Sequence, residues 1–195
     1  MAKARGVVIG LQGGEGSFNE EAGRAECARK GLKNYRFEYL YTARGVFRAL
    51  AEETIAIGQM AIFNSAGGVV DESIRALAEN NCRFVSSFSI PIRHFLLAQP
   101  GVKIDELKEI MSHPQALAQC RKKLQKRYPA QKLVSGRGKM IDQALAAKFL
   151  ASGKLPRTTA VLAPLVCAEL YPLNILDKDL QDLKENVTIF VWIKP

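Results

Sequence analysis

The closing run Val187-Thr188-Ile189-Phe190-Val191-Trp192-Ile193 constrains the fold more than any other stretch. An apolar segment with a single hydroxyl has no polar face to show to water, so it is expected as a strand inside a sheet buried on both faces. Such a sheet needs helices on either side, and the first part of the chain supplies alternating strands and helices. Gly6 to Leu11 reads as a strand, followed by the loop Gly13-Gly14-Glu15-Gly16 and a helix capped by Ser17 with Glu20 at the capping-box position. Phe37 to Tyr41 is a second strand, and Thr42 to Glu53 a helix with Val46, Phe47 and Leu50 as its apolar stripe. Gln59 to Phe63 is a third strand, and Asp71 to Glu79 a third helix. Between these last two lies Asn64-Ser65-Ala66-Gly67-Gly68, at a strand's carboxyl end, where open α/β sheets bind ligands.

Arg83 to Ser89 reads as a strand leading out of this first lobe. Ile92 to Leu97, Glu109 to Met111, Gln131 to Val134 and Thr159 to Leu162 are expected strands of a second lobe, with helices over Ile141 to Leu150 and Pro164 to Tyr171. Between Met111 and Pro129 stands Ser112-His113-Pro114-Gln115-Ala116-Leu117-Ala118-Gln119-Cys120, which opens a long helical pattern. Ser112 is expected to cap it, with Gln115 completing a capping box and Pro114 in the first turn, where a missing N–H costs nothing. Ser112 and Gln119 would then share one helical face. A helix start with uncharged donors is a ready carboxylate site.

Composition narrows the partners. With 195 residues, 48% of them hydrophobic and 24% charged, the chain can bury a core as one domain or two lobes. No apolar run approaches the roughly eighteen residues of a membrane span, and the N-terminus lacks a signal-peptide core, so a cytoplasmic protein without a membrane partner is expected. Cys27, Cys82, Cys120 and Cys167 are scattered and, with His94 and His113, form no metal-ligand pattern; no metal or cofactor is expected. The net charge of +9 is spread out, apart from Arg121-Lys122-Lys123 through Lys126-Arg127, and no nucleic-acid motif accompanies it, so nucleic acid is a distant reading. The glycine loop is neither G-x-G-x-x-G nor Walker A, and Gly136-Arg137-Gly138-Lys139 is followed by Met140 where Ser or Thr is needed.

Taken in order, these segments resemble the prephenate dehydratase family along nearly the whole chain. Gly13-Gly14-Glu15-Gly16-Ser17-Phe18 resembles that family's G-P-x-G-[ST]-F opening, and Ile62-Phe63-Asn64-Ser65-Ala66-Gly67-Gly68 its P-I-E-N-S-x-x-G turn. Ile92-Arg93-His94-Phe95-Leu96-Leu97 is similar to I-x-H-x-L-L, Ser112 through Cys120 matches S-H-P-Q-A-L-A-Q-C, and Asn186-Val187-Thr188-Ile189-Phe190 resembles N-x-T-R-F. The resemblance implies a two-lobed α/β fold of the type 2 periplasmic-binding-protein kind, with the active site in the inter-lobe cleft. Its lobes would be residues 1–86 plus 170–195 and residues 87–169. It further implies turnover of prephenate to phenylpyruvate in phenylalanine synthesis, without a cofactor, and a homodimer. The family often carries a C-terminal regulatory domain that binds phenylalanine; with Pro195 last, that control is expected to be absent or on another protein.

The reaction expels hydroxide and carbon dioxide as the ring aromatises. It needs a proton donor at the leaving hydroxyl, fixed donors for two carboxylates, and little water. By resemblance Thr188 takes the acid or relay role, and Asn64, Ser112 and Gln119 are the catalytic polar residues beside it. Ser65, Gly16, Ser17, Phe18, His113, Gln115 and Arg137 are the expected substrate-binding set. Phe63 stands where the family has glutamate and Ile189 where it has arginine, so Arg137 or Arg93 is expected to supply the missing cation. A prephenate decarboxylase that does not aromatise its product, or a binding protein on the same fold, are the alternatives.

Overall fold

A computed structural model describes residues 6–136 and 142–195. In chain order the elements are β1 (Val7–Leu11), α1 (Phe18–Arg29), β2 (Tyr35–Tyr39), α2 (Ala43–Ala51), β3 (Ile57–Asn64), β4 (Gly68–Val69), α3 (Asp71–Glu79) and β5 (Arg83–Pro91). They continue with β6 (Phe95–Ala98), β7 (Glu109–Ser112), α4 (Pro114–Gln119), α5 (Arg121–Arg127), β8 (Lys132–Ser135), α6 (Gln143–Ala151), β9 (Thr159–Ala163), α7 (Leu165–Leu170), β10 (Asn174–Asp177) and β11 (Val187–Lys194). None of the described helices is long and apolar enough to cross a membrane.

The chain forms two compact units, Met1–Pro91 with Val187–Pro195, and Ile92–Asn186. The expected boundaries at 86/87 and 169/170 therefore shift to 91/92 and 186/187. The first shift arises because β5 stays paired with β11 as far as Pro91. The second arises because residues after α7, which carry no strong strand signal, add β10 antiparallel to β6 and belong to the second sheet.

In the first unit the strand order is β2-β1-β3-β11-β5, with β4 on β3. The β1–β2 and β1–β3 pairs are parallel, while β11 lies antiparallel to both neighbours. The expectation for the closing run holds: Phe190, Val191, Trp192 and Ile193 are buried. Ile9, Leu11, Cys27, Ile57 and Trp192 pack on the α1 side, and Val46, Leu50, Met60, Ala76, Val191 and Ile193 on the side of α2 and α3. Thr42 caps α2 by accepting from Gly45 N at 3.0 Å, and Glu72 of α3 reaches across to accept from Ala43 N at 2.8 Å.

The second unit has the order β10-β6-β9-β7-β8, parallel for β7–β8 and β7–β9 and antiparallel at β6 and β10. One side is packed by α6 and α7 through Ala144, Ala147, Leu150 and Cys167, the other by α4 and α5 through Cys120, Leu124 and Tyr128. The single helix expected from Ser112 to Pro129 is two, broken at Cys120. The break has a tertiary cause: Asp182 accepts from Lys122 N and Lys123 N, both at 2.9 Å, and so caps a new helix start. Ser112 is not the cap of α4. It ends β7, and His113 caps α4 with Nδ1 accepting from Gln115 N at 3.1 Å. Ser112 and Gln119 accordingly share no helical face. The topology and the two-unit division are those of the type 2 periplasmic-binding-protein kind.

Candidate active site

In the first unit the site is built where β3 and β11 run side by side. Asn64 and Thr188 are direct register partners there, beside an irregularity at Ile189/Phe190 that leaves Ile62 of β3 without a partner on β11. The Asn64 carbonyl oxygen accepts from Ala66 N at 3.0 Å and Gly67 N at 2.8 Å. Backbone N–H groups can only donate, so these two contacts set which end of the amide is oxygen. Asn64 Nδ2 therefore points the other way and donates to Thr188 Oγ1 at 2.8 Å and to Val187 O at 3.3 Å. With Oγ1 acting as acceptor toward Asn64, the Thr188 hydroxyl hydrogen is available to another acceptor. Thr188 is 7% exposed, in a strand otherwise apolar around it. Ser65 is drawn to the same strand: its N–H donates to Val187 O, and its Oγ accepts from Val187 N, both at 2.9 Å.

The glycine loop lies in the same unit. Gly16 has φ of +83°, a left-handed conformation that glycine adopts without a Cβ penalty, and its N–H donates to Glu20 Oε2 at 2.7 Å. Ser17 caps α1, accepting from Glu20 N at 3.4 Å, and Phe18 opens the helix half-buried. The capping box is thus displaced by one residue, the Glu20 carboxylate holding Gly16 rather than Ser17. Glu20 is almost wholly buried, and Arg24 donates to its Oε1 at 2.6 Å from Nη2. Burial, with the Glu20 carboxylate close by, raises the Tyr39 phenol far above its ordinary pKa.

The second unit gathers the other polar residues. Ser112 has no exposed surface; its Oγ donates to Leu162 O and accepts from Gln143 Nε2, both at 2.9 Å. Its hydroxyl is committed within the unit, as support for Gln143. His113 and Gln115 meet each other at the α4 cap, His113 half-buried and Gln115 exposed. Gln119 ends α4, and its Oε1 lies 3.1 Å from both His94 Nε2 and Asn186 Nδ2. His94 is 2% exposed, and burial lowers its pKa against the opposing hydrogen bond to Gln119.

The two positions that depart from the family pattern prove to be one place: Phe63 and Ile189 are register partners, and Phe63 also faces Val69 of β4. A cross-strand glutamate–arginine pair would become an apolar pair by exactly this double change, and Phe63 remains 38% exposed. Arg93, expected as one candidate substitute cation, is held bidentately by Asp179 in an exposed pair, its Nη2 donating to Oδ2 at 2.7 Å. Arg137 lies outside the described residues. Sequence reasoning missed Gln143 and the convergence of His94, Gln119 and Asn186, because those contacts span 25 to 67 residues and carry no local pattern.

Comparison with known proteins agrees with this architecture. The prephenate dehydratase family model matches residues 9–195. Arogenate dehydratase 2 of Petunia hybrida is 36% identical over 95% of this chain and 44% of its own. An Arabidopsis thaliana arogenate dehydratase/prephenate dehydratase, number 2 and chloroplastic, is 35% identical over 96% of this chain and 46% of its own. The chain thus spans less than half the length of these relatives. A prephenate dehydratase from Arthrobacter aurescens, solved in complex with L-Phe, superposes with a TM-score of 0.83 at 27% identity, over 96% of this chain and 60% of that one. A family match that runs from residue 9 to residue 195 makes this chain a member of the prephenate dehydratase family.

Proposed function

We propose that the chain catalyses the decarboxylating dehydration of prephenate to phenylpyruvate, a step of phenylalanine synthesis. The observation that carries this reading is the 2.8 Å hydrogen bond from Asn64 Nδ2 to Thr188 Oγ1. A threonine is a weak acid, but a hydroxyl that accepts from behind is polarised toward donating in front. Thr188 would give a hydrogen bond, then a proton, to the departing ring hydroxyl. Asn64 would hold that geometry, itself fixed by Ala66 and Gly67 N–H groups. The apolar residues of β11 limit water around Thr188, which favours loss of the carboxylate. Gln119 would donate to a substrate carboxylate, with Gly16, Ser17 and Phe18 at the start of α1 as further anion contacts. Ser112, His113 and Gln115 would act through the shape of the β7–α4 turn, and Ser65 by tying the Asn64 turn to β11. A cytoplasmic homodimer completes the proposal, and sedimentation with cell fractionation tests both parts.

Arogenate, which bears an amine where prephenate has a keto oxygen, is the second reading. The names of the plant relatives favour it. Incubating the purified protein separately with prephenate and arogenate and identifying the product decides. Phenylpyruvate supports the first reading and phenylalanine the second. A decarboxylated but non-aromatic product, or saturable binding without turnover, overturns both.

A further inference from the structure

Gln119 is the residue of the second unit whose use depends on which way its amide faces. Its main chain is anchored, since the carbonyl accepts from Asp182 N at 2.7 Å. Its side-chain oxygen accepts from Asn186 Nδ2 at 3.1 Å and lies 3.1 Å from His94 Nε2, which donates to it when the ring carries its proton there. Both donors belong to residues 2% exposed, whereas Gln119 is half-buried. His94 is itself held along its backbone: its N–H donates to Gln181 Oε1 and its carbonyl accepts from Leu180 N, both at 3.1 Å. The Gln119 amide nitrogen makes no hydrogen bond among the described residues.

We infer that His94 and Asn186 are positioning residues, which clamp Gln119 Oε1 so that its two N–H donors form the side offered to a substrate carboxylate. The inference rests on the carboxylate-binding role proposed for Gln119. A glutamine left to rotate offers a carbonyl oxygen half the time, and an oxygen facing a carboxylate repels it. The clamp removes that state. It requires His94 to carry its proton on Nε2, since only a protonated nitrogen can donate to Oε1. In the reverse arrangement the proton would sit on Nδ1, Gln119 would donate inward to Nε2, and its oxygen would face out.

The test combines a spectroscopic and a kinetic measurement. In protein labelled with 15N-histidine, two-bond proton–nitrogen correlations report the ring tautomer. The Nε2-protonated form is expected for His94, and the Nδ1-protonated form overturns the inference. In kinetics, His94→Phe is expected to raise KM by about 10- to 30-fold with kcat changed less, the scale of one lost hydrogen bond to a charged group. His94→Gln, which returns an N–H donor, is expected to recover most of that loss. Gln119→Glu is expected to bind substrate more weakly than Gln119→Leu, because it sets an oxygen where a donor is needed. A His94→Phe protein with wild-type KM, or a Gln119→Glu protein with near-normal KM, overturns the clamp. Should His94→Phe fail to fold, Asn186→Asp removes the second donor at constant size, and the same rise in KM is expected. If the wild type turns over neither prephenate nor arogenate, the proposed function fails, while the His94 tautomer still decides the clamp.

Discussion

Thr188→Val separates the chemical role of the hydroxyl from its structural one. Valine keeps the branched shape in β11, so the change removes one acceptor and one donor with little loss of packing. The acceptor serves Asn64 Nδ2, which retains Val187 O at 3.3 Å and the two backbone anchors on its oxygen. A partly satisfied donor of this kind costs about 0.5–1.5 kcal/mol of stability. For a chain of this size that lowers Tm by roughly 1–6 °C. The donor is a different matter: positioned general-acid groups contribute about 10²- to 10⁴-fold in rate, or roughly 3–5 kcal/mol of barrier. The variant should therefore remain folded at 25 °C yet lose at least about a hundredfold in kcat. The assay is phenylpyruvate formation from prephenate, followed beside thermal unfolding by circular dichroism. Thr188→Ser, which keeps the hydroxyl, is expected to stay within about tenfold of wild type. A Thr188→Val protein that keeps more than about a tenth of the wild-type kcat would refute the proton-donor role and leave Thr188 a strand residue.

Four further outcomes follow from the described contacts. Ser112→Ala should cost about 0.5–1.5 kcal/mol, because Leu162 O and Gln143 Nε2 each lose a 2.9 Å partner in a fully buried place and keep only their 3.3 Å contact with each other; urea titration measures this. Asp182→Ala removes the acceptor for Lys122 N and Lys123 N and should destabilise α5 by about 1 kcal/mol, seen as faster hydrogen exchange in that helix. Burial lowers the His94 pKa in the folded state, so below the ordinary histidine value the unfolded chain takes up a proton that the folded one does not. Stability should thus fall as pH drops below about 6.5, and less so in His94→Gln, by urea midpoints at successive pH values. Cys27, Cys120 and Cys167 are buried and Cys82 is half-buried; burial raises the Cys82 thiol as well as those of Cys27, to about 11, and Cys120, to about 12, so on access Cys82 should react first with a disulfide reagent in the native protein.

Much of the fold was legible in local pattern. The closing apolar run, the Ser17 cap, the helix start at Thr42 and the alternation of strands with helices are signals within a few residues, and each is realised close to where expected. Motif resemblance likewise pointed to Asn64, Gln119 and Thr188. Three features escaped it for physical reasons. Asp182 breaks the expected long helix from 60 residues away, so the uninterrupted helical pattern around Cys120 gave no warning. Ser112 resembles a cap in sequence, but the strand pairing of β7 extends through it and passes the cap to His113. β10 has weak intrinsic signal and exists through pairing with β6.

The sequence by itself determined most of the secondary elements and the family, because hydrophobic period, caps and turn residues act over one or two turns of chain. The tertiary structure alone decided which side-chain atoms face which. It set the Asn64 amide through the Ala66 and Gly67 N–H groups, Gln119 through His94 and Asn186, and Phe63 opposite Ile189. Hydrogen-bond direction and strand register depend on groups brought together from distant parts of the chain, and no local spacing encodes them.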